Sequence, residues 1–164
     1  MIIRKAKIED LDAMLAIYNY EVLNGTATFD LQPKTYEERK VWFDEHNIGN
    51  HPLYVADIDG TVVGYISLSA YRPKAAYDNS VELSIYVDHH HRNQGIASAL
   101  MEFIINEARR DPSIHVIVSV ITGENEASVK LHKKFGFTYC GTLKEVGYKF
   151  GRFVDISHFT LNVQ

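Results

Sequence analysis

A chain of 164 residues, 46% hydrophobic and 23% charged, has the composition of an ordinary folded domain. It can bury roughly two thirds of its unfolded surface in one core and would be cramped as two. The net charge of -4 speaks against a generic nucleic-acid binder, which carries a basic excess, and no apolar run reaches the roughly 18 residues of a membrane span.

The start, Met1 to Met14, lacks the apolar segment of a signal peptide and runs directly into amphipathic structure. Ile2 to Lys7 reads as a short strand. Ile8-Glu9-Asp10 leads into a helix with Leu11, Met14, Leu15 and Tyr18 on one side, ending at the turn dipeptide Asn24-Gly25. Asn24-Gly25-Thr26 also has the form of a glycosylation sequon, which matters only in a secreted protein. Thr26 to Phe29 reads as a loop, and Thr35 with Glu38 three residues on makes a capping box that opens a second helix. Leu53–Ile58 and Thr61–Tyr71 flank Asp59-Gly60, a hairpin signal. The loop Arg72 to Tyr77, with two cations and a tyrosine, could be a plain solvated connection.

From Ser80 to Arg110 the chain reads as strand, tight loop, helix. Val81, Leu83, Ile85 and Val87 alternate with polar neighbours, so Glu82 and Tyr86 share the opposite face. A helix starts near Gly95, where Ile96, Leu100, Ile104 and Ala108 form an apolar stripe widened by Ala97 and Phe103. Arg92 to Ala97 has the ingredients of a pyrophosphate site: a glycine that lets the backbone approach a ligand, the partnerless first amides of a helix, and a cation. A simple turn would also carry that glycine. His89-His90-His91 invites a metal reading, but consecutive loop residues rarely converge on one ion and no HExxH or CxxC accompanies them. A P-loop and a full GxGxxG are absent, which disfavours nucleotide kinases and dinucleotide oxidoreductases.

Asp111-Pro112 closes the helix, and His115 to Ile121 reads as a buried strand. Another helix spans Asn125 to Phe135 and stops at Gly136. Its expected core stripe is Ala127, Leu131 and Phe135, with Asn125, Ser128 and His132 forming a polar stripe beside it. Cys140, the single cysteine, excludes an internal disulfide and suits a reducing cytosol; among strand-like Phe137 and Tyr139 it is expected to pack as a small apolar group rather than act as a nucleophile. Glycine turns from Gly141 lead to a last strand, Phe153 to Leu161.

Arg92-x-x-Gly95-x-Ala97, placed after a strand and opening a helix, resembles the R/Q-x-x-G-x-G/A signature of the GNAT superfamily of N-acetyltransferases. Further motifs follow in order: Ile17-Tyr18-Asn19, Thr26-Ala27-Thr28-Phe29, Tyr71-Arg72-Pro73-Lys74-x-x-Tyr77, Val81-Glu82-x-Ser84-Ile85-Tyr86-Val87, Asn125-x-Ala127-Ser128-x-x-Leu131-His132 and Gly147-Tyr148-Lys149-Phe150-Gly151. Together they resemble the phosphinothricin and methionine sulfone or sulfoximine acetyltransferase branch over nearly the whole chain. The resemblance implies a single GNAT domain over residues 1–164, an α/β (α+β) fold with a mixed central sheet of about six to seven strands flanked by about four helices. It also implies a cytoplasmic homodimer using acetyl-CoA without a metal.

By the same resemblance, Glu82 would be the general base and His132 would protonate the departing thiolate. Each has a plainer reading, as a solvated strand carboxylate and as a boundary histidine bonded to a backbone carbonyl. Backbone amides near Ile85, Tyr86 and Val87 would hold the thioester and pantetheine, and Arg92, Asn93, Gln94, Gly95, Ile96, Ala97 and Ser98 the pyrophosphate, with Asn125 and Ser128 along the arm. Phe29, Arg72, Lys74, Tyr77, Lys149 and Phe150 would form the acceptor site, although Phe29 could equally fill a gap between helix and sheet. Relatives often carry tryptophan where this chain has Phe153, which leaves the size of the pocket or interface open. The implied acceptor is a small L-amino acid with an acidic or strongly polar side chain, acetylated by direct attack. Rivals are N-acetylation of a polyamine, aminoglycoside or protein N-terminus, and a non-catalytic acyl-CoA sensor.

Overall fold

The computed structural model describes residues 1–164. In chain order the elements are β1 (Ile2–Lys5), α1 (Leu11–Asn24), α2 (Tyr36–Asp44), β2 (Leu53–Ile58), β3 (Thr61–Ala70), β4 (Ser80–Val87), α3 (Ile96–Arg110), β5 (Val116–Thr122), α4 (Glu126–Lys134), β6 (Thr138–Lys149) and β7 (Arg152–Asn162). The strands form one seven-stranded sheet in the order β1-β2-β3-β4-β5-β7-β6. All pairings are antiparallel except β4 with β5, whose parallel connection is supplied by α3.

Alternation along the strands divides the core into two layers. Val81 and Leu83 face α3, packing with Leu100, Met101 and Ile104, whereas Tyr65 and Val55 join Leu11, Met14 and Ile17 beneath α1 and α2. Gly64 lets α3 lie close: a Cβ there would stand 3.3 Å from Ile96 and Leu100 side chains and 3.1 Å from the Tyr86 carbonyl oxygen. The capping box of α2 forms as its spacing predicts, with Thr35 Oγ1 accepting from the Glu38 amide.

Three expectations need correction. The first strand stops at Lys5, because Ile8–Asp10 turns as a 3₁₀ helix in which the Asp10 carboxylate accepts from the Lys7 amide. Gly141 and Gly147 do not end the chain's regular structure in turns; both lie inside β6, at register shifts that absorb extra residues. Cys140 is exposed beside the first of these shifts, not packed.

The feature that shapes the molecule's chemistry is a split in the sheet. Between β4 and β5 the pairing covers only Ser80 with Val116, Val81 with Ile117 and Glu82 with Val118. Beyond Glu82 each strand keeps its other neighbour: β4 runs beside β3 as far as Val87 opposite Gly64, and β5 beside β7 as far as Thr122 opposite Ile156. The two strands therefore diverge, and the edge of Leu83–Val87 that would face β5 has no strand partner.

Candidate active site

The split opens into a groove of about 910 Å³. Ile85, Tyr86 and Val87 form one wall, and Asn125, Ala127, Ser128 and Leu131 the other. The turn into α3 closes one end with Arg92, Asn93, Gly95, Ile96, Ala97 and Ser98; Gln94, expected among them, is exposed and does not line the groove. Asn93 and Gly95 take left-handed backbone angles, φ 60° and 79°, and a Cβ on Gly95 would meet nothing within 4 Å. This leaves open space above the unpaired first amides of α3, the arrangement that receives a phosphate. At the start of α4, Asn125 Oδ1 accepts from the Ser128 amide at 3.2 Å, fixing both residues at the groove.

Residues that sequence reasoning did not assign complete the walls. Gly25, Thr26 and Ala27, after α1, fold over the groove, and Arg152 enters from the start of β7. Two ion pairs join groove-lining residues: Arg92 with Glu21 at 2.5 Å, and Arg152 with Glu124 through two bonds of 2.6 and 2.7 Å. Neither carboxylate partner has a motif signal, since each pairing depends on chain folding between distant segments.

Glu82 lies at the last rung before the split, half-buried on the face toward α1 and α2 that it shares with Ser84 and Tyr86. Burial raises its carboxyl above the ordinary range, opposed by the positive charge of Arg72. Its neighbour across β3 is Ser69, whose Oγ lies 2.8 Å from His46 Nε2. Arg72, Lys74 and Tyr77 are exposed on the loop before β4, with the Arg72 guanidinium 5.1 Å from the centre of the Tyr71 ring.

The other expected acceptor residues divide. Phe150 lines the groove from the β6–β7 turn at φ 53°, a left-handed conformation unusual for phenylalanine. Phe29 rests on Gly147, where a Cβ would come within 2.3 to 3.0 Å of its ring, so it fills the gap between loop and hairpin. Lys149 is buried, and its Nζ donates to the Thr28 carbonyl at 2.9 Å; burial lowers its pKa, with Asp30 and Glu21 opposing. Lys149 and Phe29 thus hold the Thr26–Phe29 loop against the hairpin.

His132 departs from the polar stripe expected of it. It is 1% exposed, while Ala127 is exposed and lines the groove; Leu131 and Phe135 pack against the core as expected, so His132 takes the place in the buried stripe expected of Ala127. His132 Nδ1 lies 2.7 Å from the Ser128 carbonyl oxygen, to which it must donate, and Nε2 lies 2.8 Å from Ser119 Oγ, which then donates to it. Burial lowers its pKa, with the carbonyl bond opposing. A ring with both nitrogens engaged fits the plainer reading of a boundary histidine, and His132 is not among the residues that line the groove. Asp88, His89 and His90 bring ligand atoms within 4.8 Å of one another, yet Asp88 already caps the turn, accepting from the His90 amide at 3.2 Å and His91 Nδ1 at 3.1 Å.

A split mixed sheet, free β4 edge and glycine turn at the cleft define an acyltransferase architecture. Residues 3–157 match the acetyltransferase (GNAT) domain model, and the chain belongs to that family of acetyltransferase enzymes. It is 38% identical over 162 residues to the L-methionine sulfoximine/L-methionine sulfone acetyltransferase of Pseudomonas paraeruginosa, covering 98% of this chain and 94% of that one. Among solved structures, an N-acetyltransferase from Staphylococcus aureus Mu50 superposes with a TM-score of 0.95 at 42% identity, covering 99% of this chain and 98% of the other. A phosphinothricin acetyltransferase from Sinorhizobium meliloti, solved with acetyl-CoA, superposes with a TM-score of 0.94 at 33% identity, covering 98% and 87%. Acetyl-CoA is the co-substrate, and the unpartnered strand edge and open amide turn of this groove fit its amide-bearing arm and its pyrophosphate.

Proposed function

We propose that this enzyme transfers an acetyl group from acetyl-CoA to the α-amino group of a small L-amino acid of the methionine sulfone, methionine sulfoximine or phosphinothricin class. Transfer occurs by direct attack while both substrates are bound. The observation that carries the reading is Glu82: a half-buried carboxylate with raised pKa, without a hydrogen bond to the protein, at the rung where the sheet splits. A carboxylate so placed can accept the ammonium proton, directly or through one water, and a pKa nearer neutrality improves the match to that task. Acetyl-CoA supplies an activated acyl group as a thioester. The free edge of Leu83–Val87 aligns its arm and offers N–H groups to the carbonyl oxygen, while Arg92 and the α3 amides hold the pyrophosphate. Asn125 and Ser128 offer polar contacts along the arm.

Arg72 binds the acceptor carboxylate, because a planar guanidinium can grip both oxygens, with Lys74 adding charge and Tyr77 bounding the site. His132 serves by position: it ties α4 to β5 and so sets the far wall of the groove. Because no protein nucleophile is required, proximity supplies much of the rate. The enzyme works in the cytoplasm as a single-domain homodimer, and exposed Tyr139, Leu143, Tyr148 and Phe153 on the β6–β7 edge provide the apolar contact.

The test is thiol release from acetyl-CoA with methionine sulfone, methionine sulfoximine, phosphinothricin, spermidine, an aminoglycoside and an N-terminal peptide. Turnover confined to the first three supports the reading. Turnover of a polyamine, aminoglycoside or peptide in their place overturns the acceptor class, and bound acetyl-CoA with no turnover of any amine points to a sensor.

A further inference from the structure

Two side-chain polar atoms in the molecule are buried without a hydrogen-bond partner, Arg39 Nε and Ser67 Oγ, and both occur on the same side of the sheet. Arg39 is only 7% exposed and has no carboxylate partner. Its guanidinium lies 4.0 Å from the Tyr18 ring centre and 3.6 Å from that of Trp42, and one terminal nitrogen donates to the Tyr65 hydroxyl at 2.9 Å. Aromatic rings stabilise a buried cation and fix its plane, but they leave its in-plane N–H donors unused. A buried cation without an anion is costly, and such a group is retained where a ligand completes it.

Arg39 lines a second cavity of about 580 Å³ between α2 and β4, with Tyr18, Trp42, Ser84 and Tyr86 among its walls. The other charged groups there do not neutralise Arg39. Asp30 is held by the Tyr18 hydroxyl and lies 3.7 Å from Lys34, Glu38 is engaged in the Thr35 capping box and lies 3.9 Å from Lys34, and Glu45 is exposed. On β3 the residue opposite Ser84 is Ser67, and one step along the same face Ser69 stands opposite Glu82. The orphaned serine therefore lies between Arg39's neighbour Tyr65 and the base.

We propose that Arg39, assisted by Ser84, is the receptor for oxygens at the end of the acceptor's side chain, and so determines specificity. This rests on the amino-acid acceptor reading above. With the amine at Glu82 and the α-carboxylate at Arg72, the five bonds from the amine nitrogen to a terminal side-chain oxygen extend about 6 Å, close to the distance of two residues along a strand and hence from Glu82 to Ser84. The ligand class is an amino acid whose side chain ends in sulfonyl, sulfoximine or phosphinate oxygens, strong acceptors suited to a rigid guanidinium. Methionine reaches the same cavity but offers Arg39 only a thioether, a weak acceptor.

The experiment compares kcat/KM for methionine sulfone and for methionine in the wild type, Arg39→Lys and Ser84→Ala, with melting temperature and the KM for acetyl-CoA measured alongside. The expected result is that the sulfone-to-methionine ratio falls tenfold or more in Arg39→Lys and about threefold in Ser84→Ala, while the KM for acetyl-CoA holds. Should Arg39→Lys fail to fold, the small Ser84→Ala change still reports on the cavity, which Ser84 lines. An unchanged ratio in the folded variants overturns the assignment of Arg39 while leaving the acceptor class intact. A wild type that acetylates neither amino acid, but acetylates a different amine, overturns the acceptor reading and this inference with it.

Discussion

The two faces of the split sheet are built in different ways. The cofactor groove draws most of its lining from two short segments, residues 85–98 and 125–131, each continuous through a strand-to-helix or loop-to-helix junction. The proposed acceptor side would gather Glu82 and Ser84 from β4, Arg39 and Trp42 from α2, and Arg72 from a loop. A diphosphate and an amide-bearing arm need backbone N–H groups, which local geometry alone can present. A particular small amine needs side chains from several directions, which only tertiary packing assembles.

Glu82 is the hinge between the two faces. Glu82→Gln is expected to lower kcat by about 100-fold or more while leaving the KM for acetyl-CoA close to wild type, measured by steady-state thiol release. A matching rise in that KM would mean that the two faces are not separable.

On the cofactor side, Arg92→Gln should raise the KM for acetyl-CoA about tenfold through loss of a charge-assisted contact. Gly147→Ala acts on the seam between the faces, since its Cβ would meet the Phe29 ring at 2.3 to 3.0 Å. A loss of about 1 to 3 kcal/mol in a denaturant titration is expected, smaller when Phe29→Ala is present in the same chain.

A smaller effect sharpens the role of the ion pair beside the groove. Glu21→Gln frees Arg92 from its partner and should lower the KM for acetyl-CoA by about threefold at low salt, with the gain fading as salt rises. The smallest prediction concerns stability. Burial lowers the pKa of His46, against its bond to the Trp42 carbonyl, and likewise that of His132. The unfolded chain therefore binds more protons below about pH 6.5, so stability is complete above that value and declines as the pH falls beneath it. Melting temperatures across this range should show a slope that flattens in a His132→Gln variant.

These contrasts also explain what could be read from the chain. Alternation from Val81 to Val87 and the four-residue apolar spacing of α3 place Glu82 and the glycine turn correctly, because period and chemistry agree there. In α4, Leu131 and Phe135 pack against the core as their spacing implies, but the exchange of Ala127 for His132 was not legible: apolar Ala127 borders the groove, while polar His132 is buried because Ser119 and the Ser128 carbonyl satisfy it. Hydrophobicity cannot reveal a partner on another strand. Phe29 and Lys149 stand in motifs, but whether they face a ligand or hold a loop depends on contacts spanning more than a hundred residues. Arg39, on a charged helix, gives no sequence sign that it is buried without a counter-ion.

The account rests on Glu82 as the base, and the pH dependence of kcat/KM for methionine sulfone tests it most directly. The rate should rise with pH through a limb set by a group above the ordinary carboxylate range, because Glu82 must lose its proton before it can accept one from the amine. In Glu82→Gln that limb should vanish along with most of the rate. A variant that keeps both the limb and a near-wild-type rate would contradict the assignment.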